Sequence, residues 1–180
     1  MEAYLLHGRI QFSRISLLRV LAVRKKGGER DVKKLFLPLD TWIPIKDGNK
    51  TAMEIFRRHY SYRPYADSRD PRLFVGPGEK MVLITPDATA LFVWRRFLSR
   101  DNQTGVNCAV FRNEGRFLSS KLIIEAEKMA FERWPGQRLY TYVNPKKISS
   151  VNPGFCFIKA GWEKCGITKV KKLIILERKV

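Results

Sequence analysis

Hydrophobic residues change their spacing several times along the chain, and each change predicts an element. Leu35, Phe36, Leu37 and Leu39 crowd the centre of a strand expected over Lys33–Ile45. Thr51-Ala52-Met53-Glu54 matches a capping box, in which a hydroxyl and a carboxylate reciprocally satisfy free helix N–H groups. Ala52, Ile55, Phe56 and His59 then mark one face of a short helix. It gives way by Ser61 to an irregular stretch, Tyr60–Gly78, punctuated by Pro64, Pro71 and Pro77. Loops of that length in compact domains are usually functional or mobile. Three strands follow, Lys80–Thr85, Thr89–Phe97 and Gly105–Arg112, separated by Pro86-Asp87 and Asp101-Asn102, and an antiparallel meander is expected. Ser119 or Ser120 is placed to cap the longest helix, which runs to about Arg133 with Leu122, Ala126, Met129 and Ala130 as its buried stripe, widened by Ile123 and Phe131. Trp134-Pro135-Gly136 stops it. A strand over Arg138–Val143, a short helix over Pro153–Ala160 and a last strand over Val170–Glu177 complete the order. The pattern predicts an α/β domain built on a central mixed, mostly antiparallel sheet flanked by helices.

Residues 1–31 fall outside this pattern. They carry no clear period and end near the breaker cluster Lys25-Lys26-Gly27-Gly28, so they read as a basic N-terminal arm, an extra hairpin or an extension, with residues 32–180 as the main domain. Charge adds a partner. Lys and Arg total 35 against 17 Asp and Glu, a net +18, which is too large for solubility tuning and predicts a polyanionic partner or a strongly anionic surface. The ends are the most basic: residues 145–180 hold nine cationic and two acidic side chains. Apolar residues at 44% exclude wholesale disorder. Cys108, Cys156 and Cys165 cannot all pair and show no C-x-x-C spacing, so a zinc ribbon and a disulfide framework are not expected and a reducing, cytoplasmic compartment is. No apolar run reaches the length of a membrane span, and Arg19 interrupts the stretch Ile15–Val23.

Candidate chemistry gathers at the first helix end. His59 is the one histidine of the expected domain, His7 lying in the arm. It reads either as a base or metal ligand, with Tyr60 orienting or handling a proton, or as a helix-end imidazole bound to terminal carbonyls. Around it Arg57, Arg58 and Arg63 interleave with Tyr60, Tyr62 and Tyr65, a mixture in which cations meet phosphates and rings stack on an extruded base. Arg95, Arg96, Lys146 and Lys147 read as a general phosphate surface. The three cysteines read as packing residues.

Arg112-Asn113-Glu114-Gly115-Arg116-Phe117, set between a strand and the long helix, resembles the Q/R-x-x-G-x-G/A turn of the GNAT acyltransferases. There the turn holds the pyrophosphate of acyl-CoA, as backbone N–H groups at a helix N-terminus hold anions generally. Phe117 stands where that motif has a small residue. Asn152-Pro153-Gly154-Phe155, ending at Gly161-Trp162, resembles a second GNAT motif flanking the acyl site, with Trp in place of Phe. From His59 to Leu176 the chain is more similar to the phage Mom-like DNA modification proteins, through Arg58-His59-Tyr60, the segment Cys108 to Glu114, Ser119-Ser120, Leu139 to Pro145, and Asn152 to Phe157.

The resemblance implies a GNAT-like fold and a transferase that converts adenine in duplex DNA to N6-carbamoylmethyladenine, shielding phage DNA from restriction in the host cytoplasm. It implies His59, Tyr60, Tyr142, Asn144 and Ser120 as catalytic residues. Arg112, Gly115, Arg116, Ser119, Ser120, Asn152 and Phe155 would hold acetyl-CoA or another acyl-CoA-like donor. Iron or another transition metal on His59 and Tyr60, with Tyr142 or Asn144, belongs to the same expectation. Two other readings stay open: a conventional GNAT N-acyltransferase acting on an amine, and a nucleic-acid-binding module without catalysis. Monomer and homodimer are likewise both open.

Overall fold

A computed structural model describes residues 41–64, 73–99 and 101–179; residues 1–31 and most of the strand expected over Lys33–Ile45 lie outside it. The described elements are β1 (Ile43–Ile45), α1 (Lys50–Arg57), β2 (Glu79–Ile84), β3 (Ala90–Arg96), β4 (Val106–Asn113), α2 (Ser119–Arg133), β5 (Leu139–Val143), α3 (Phe155–Lys159), β6 (Glu163–Ile167) and β7 (Ile174–Arg178), with one 3₁₀ turn at Pro145–Lys147. The seven strands form one sheet in the order β1-β2-β3-β4-β5-β7-β6. β4 and β5 pair in parallel and every other neighbour is antiparallel, so the expected mixed, mostly antiparallel α/β sheet is present.

Helices cover both faces. Leu122, Ile123, Ala126 and Ala130 of α2, with Phe157 of α3, pack on Leu83, Phe92, Trp94, Val106, Leu139 and Leu176. On the other face Ala52 and Ile55 of α1 pack on Val82, Leu91, Val93 and Val110. Burial on both faces explains why Met81–Ile84 and Leu91–Trp94 are continuous apolar runs and not alternating ones. Three indole N–H groups fasten α2. Trp42 donates to Leu122 O at 2.8 Å and Trp94 to Ala126 O at 3.0 Å, two carbonyls one turn apart. Trp162 donates to the carboxylate of Glu127, which is only 5% exposed. Burial raises the Glu127 pKa, and Arg178 contributes a partner 3.7 Å away.

Several expectations need correction. The cap of α1 is Asn49, whose side-chain oxygen accepts the Ala52 N–H at 3.0 Å; Thr51 lies inside the helix, so no Thr51–Glu54 box forms. Asn49 precedes Thr51 and presents the better acceptor first. Neither Ser119 nor Ser120 caps α2: the cap position is Leu118, without a side-chain bond. β6 was not expected at all. Its sequence Glu163-Lys164-Cys165-Gly166-Ile167 lies at a sheet edge with mostly exposed residues, so no inward face imposes an alternation. β7 correspondingly starts at Ile174 and not at Val170, because residues 168–173 are spent on the turn.

Trp162→Phe keeps an aromatic ring but strips the donor from a buried carboxylate. We expect a loss of about 2 kcal/mol, measured by urea unfolding, since an orphaned buried acceptor forfeits its desolvation compensation.

Candidate functional site

The site is made by a parting of strands. β4 and β5 match for three residue pairs, Val106↔Leu139, Asn107↔Tyr140 and Cys108↔Thr141. Beyond Cys108 they separate. The β3–β4 register slips at the same place, from Val93↔Val110 to Trp94↔Cys108, so Ala109 has no partner on either side among the described residues. A bulge of this kind bends its strand and increases its twist. The Thr141 hydroxyl donates to Cys108 O at 3.0 Å, closing the ladder where the strands diverge. A cleft of about 290 Å³ opens there, lined by His59, Tyr60, Cys108, Ala109, Phe111, Tyr142, Ile148, Ser150, Asn152, Phe155 and Cys156, among others. Gly154 (φ +85°) begins α3 against β5: a Cβ there would stand 2.7 Å from Leu176 Cδ1.

His59 follows the end of α1 and is 8% exposed. Its Nδ1 accepts the Ser61 backbone N–H at 3.2 Å and lies 2.7 Å from Ser61 Oγ. Because a backbone N–H can only donate, Nδ1 carries the lone pair and Nε2 the proton. Burial, aided by the charge of Arg112, lowers the pKa to about 4. The imidazole is therefore a neutral Nε2–H donor at pH 7. The Tyr60 ring packs on it at 4.3 Å, and the Tyr60 hydroxyl donates to Tyr142 O at 3.4 Å; burial raises the Tyr60 pKa. Tyr142 donates to Asp101 at 2.6 Å and 2.8 Å. Burial and that carboxylate raise the Tyr142 pKa, so it is held as a phenol. Cys108 and Cys156 are also pushed up by burial, which leaves them packing thiols and not thiolates.

Glu114 organises the neighbouring charges. Arg58 grips it bidentately at 2.8 Å and 2.6 Å, and Arg112 reaches it at 2.5 Å. The Arg58 hydrogen bonds, helped by Arg112, hold its pKa at about 2. One internal carboxylate thus binds a cation expected for DNA and another expected for the cofactor. Nothing in the spacing of the sequence signalled that link across 56 positions.

The predicted residues divide by place. His59, Tyr60, Tyr142, Asn152 and Phe155 meet in the cleft. Asn144 does not: its side-chain oxygen accepts Lys146 N–H at 3.0 Å and caps the 3₁₀ turn that presents Lys146 and Lys147 to solvent. Ser119 accepts from Asn113 at 3.0 Å, and Ser120 begins α2 beside it. Arg116 is exposed and makes no ion pair among the described residues. Phe117 lines a separate hollow with Leu118 and Ile124. Tyr62 packs edge-on against Phe56 at 5.6 Å, Arg63 donates to the Tyr60 and Tyr62 carbonyls, and Arg57 is exposed in the last turn of α1. Tyr65 lies outside the described residues. Arg95 and Arg96 end β3, where Arg95 donates to Pro77 O and Arg96 pairs with Glu79, and neither lines the cleft.

A metal on His59, Tyr60 and Tyr142 would have to displace the Nε2 proton and two phenolic protons that burial and protein acceptors hold in place. Among the described residues, no group of three His, Cys, Asp or Glu side chains could hold a metal ion. A CoA-like donor fits better. The α2 N-terminus carries neither a side-chain cap nor an acid in its first turn, and β4 beyond Cys108 offers an edge that β5 leaves unpaired. Gly115 is not itself the cradle: its N–H goes to Asn113, and a Cβ would stand 2.0 Å from Thr89 Oγ1. No family model, curated protein or solved structure matches the chain. No helix among the described residues is long and apolar enough to cross a membrane.

Two outcomes follow from the site. Gly115→Ala should destabilise the fold through Thr89, and Thr89→Gly should restore the melting temperature of the double variant; a loss that Thr89→Gly leaves untouched would move the constraint elsewhere. His59 binds a proton more weakly folded (about 4) than unfolded (about 6.5), so its contribution is full above pH 6.5 and is lost as pH falls toward 4. Between pH 7 and 5 the loss should be about 2 kcal/mol relative to His59→Gln, read from urea midpoints.

Proposed function

We propose that the chain is a GNAT-like transferase that modifies the N6 amine of adenine in duplex DNA, as the Mom-like resemblance implies. The observation that carries this reading is the cleft at the parting of the one parallel strand pair among the described strands, with His59 and Tyr60 in its wall, Arg112 acting on His59, and Lys146 and Lys147 following β5. An extended donor bearing amides can add to the free edge of β4 while its phosphates sit at the α2 N-terminus beside Arg116. Adenine N6 is hydrogen-bonded inside a duplex, so the base must leave the stack to reach such a cleft. The aromatic groups Tyr60 and Phe155 supply faces for it.

The role of His59 follows from its protonation. An imidazole with a pKa of about 4 and an occupied Nδ1 is a poor base at pH 7 but a good neutral donor. His59 Nε2–H polarises an acceptor atom of the donor or the base, and Tyr60 holds the imidazole by ring contact. In the reaction a bond forms from N6 to a carbon of the donor, N6 gives up a proton, and the leaving group takes the donor's electron pair. A carbamoylmethyl group is joined through a methylene carbon, whereas acyl transfer would leave an amide, so the product identifies the donor chemistry. Carbamoylmethylation of phage DNA would protect it from restriction enzymes.

The free β4 edge favours one second reading, conventional acyl transfer from acyl-CoA to an amine. Mass spectrometry of nucleosides from DNA of cells expressing the protein separates the two. N6-carbamoylmethyladenosine supports the first reading, an acetylated product the second, and unmodified DNA sinks both as DNA chemistries. His59→Ala should lower modification by about a hundredfold while the protein stays folded. The wild-type rate should show no limb near pH 6.5; such a limb would return His59 to the role of base.

A further inference from the structure

The hairpin of β6 and β7 brings a second group of cations to the cleft. Val143 of β5 pairs with Ile174 of β7, and Ile174 pairs with Ile167 of β6. The turn between the two strands, residues 168–173, therefore lies at the end of the sheet where β5 finishes and the cleft opens. Lys146 and Lys147 leave β5 at the same end. The turn is closed internally: Thr168 N–H donates to Leu173 O at 2.9 Å, Leu173 N–H to Thr168 Oγ1 at 2.9 Å, and Lys172 N–H to Thr168 O at 3.2 Å. Lys172 takes the left-handed conformation (φ +54°) that this closure requires.

Lys169, Lys171 and Lys172 are all exposed, and no Asp or Glu occurs between Glu163 and Glu177. Other cations of the fold, such as Arg58, Lys80, Arg96, Arg138 and Lys179, are paired with carboxylates, whereas among the described residues these three lysines have no ion pair. Three like charges held on one closed turn repel each other, and a polyanion relieves that repulsion. Because the backbone is already closed, little ordering is lost on binding.

We infer that this turn is a docking jaw for the phosphate backbone of a DNA duplex, set across the cleft from the Arg58–Arg112 side. The inference rests on the DNA reading above and extends it to residues which that reading did not use. Val170 is 91% exposed at the tip, but a lone valine is far less than the apolar face that membrane-surface elements bury. It can instead lie against a groove wall while the lysines meet phosphates.

The test is binding of a fluorescein-labelled DNA duplex over a salt series. The variant combines Lys169→Ala, Lys171→Ala and Lys172→Asn, asparagine being tolerant of the left-handed conformation. If all three lysines meet phosphates, the slope of log K on log salt should become shallower by about 2.5, with affinity down at least tenfold. Removing two cations from the exposed side of α2, Lys128→Ala with Arg133→Ala, should leave the slope unchanged. A triple variant of unchanged melting temperature that keeps the wild-type slope, while Lys146→Ala with Lys147→Ala still weakens binding, overturns the jaw and leaves the DNA reading standing. Absence of duplex binding by the wild type overturns both. Retained DNA affinity with lost binding to phosphatidylserine vesicles would assign the turn to a membrane surface and overturn the inference.

Discussion

The bulge at Ala109 is the constraint on which the rest of the molecule turns. Before it, Val106 and Cys108 point into the core beneath α2; after it, Val110 joins the core beneath α1 and Phe111 packs on the α2 side. One extra residue therefore rephases the strand without breaking its pairing to β3. The strand also bends away from β5, its sole parallel neighbour, and a sheet otherwise zipped on every side acquires an interior gap. A gap between central strands exposes backbone donors and acceptors in an apolar setting, where hydrogen bonds count for more than in water. Such an opening persists only if the surrounding layers hold the two strands independently. α2 does so from one face through its three indole anchors and α3 through Phe157, while α1 and the antiparallel β2–β3 ladder hold β4 from the other side.

Electrostatics follow the same geometry. A chain of net +18 would repel itself at any point where cations gather, and Glu114 answers this beside His59 by gripping Arg58 and Arg112 together. The local field that remains still disfavours a charged imidazole, in addition to the larger effect of burial. Cations on the other flank, Lys146, Lys147 and the turn lysines, receive no such partner among the described residues. The two sides of the cleft thus differ: one is internally neutralised and fixed, the other is left as unscreened charge.

Much of this architecture was legible in the chain. The antiparallel meander and the α2 stripe are strongly patterned because their residues are buried against well-defined neighbours. His59 and Tyr60 were marked by residue type, and Asn152 and Phe155 by the resemblance to a GNAT motif; both pairs line the cleft. What stayed hidden depends on contacts between distant positions. Asn49 outcompeted the Thr51 hydroxyl as a cap, a choice between neighbours that the pattern of polar residues leaves even. β6 has no buried face to write a period into its sequence. Glu127 reads as a solvent position on the helix, and only Trp162 and Arg178, each more than thirty residues away, account for its burial. Gly115 read as a phosphate turn, although its need for a bare Cα comes from Thr89 at the end of the β3–β4 ladder.

The hydrogen bonds around His59 carry the most consequence for chemistry. A histidine at a helix end in an Arg/Tyr-rich loop suggests a base, because residue type and neighbourhood both allow it. In the structure the Ser61 N–H donates to Nδ1, an arrangement that puts the proton on Nε2. Burial then fixes that state by suppressing the cation. Tyr60 and Tyr142 follow the same logic, since each hydroxyl donates to an acceptor of the protein and each is held protonated. Among these three groups His59 Nε2–H alone keeps a donor without a protein acceptor, and the two phenol oxygens are left to accept. Groups held in fixed protonation states by protein partners serve chiefly to position what they meet.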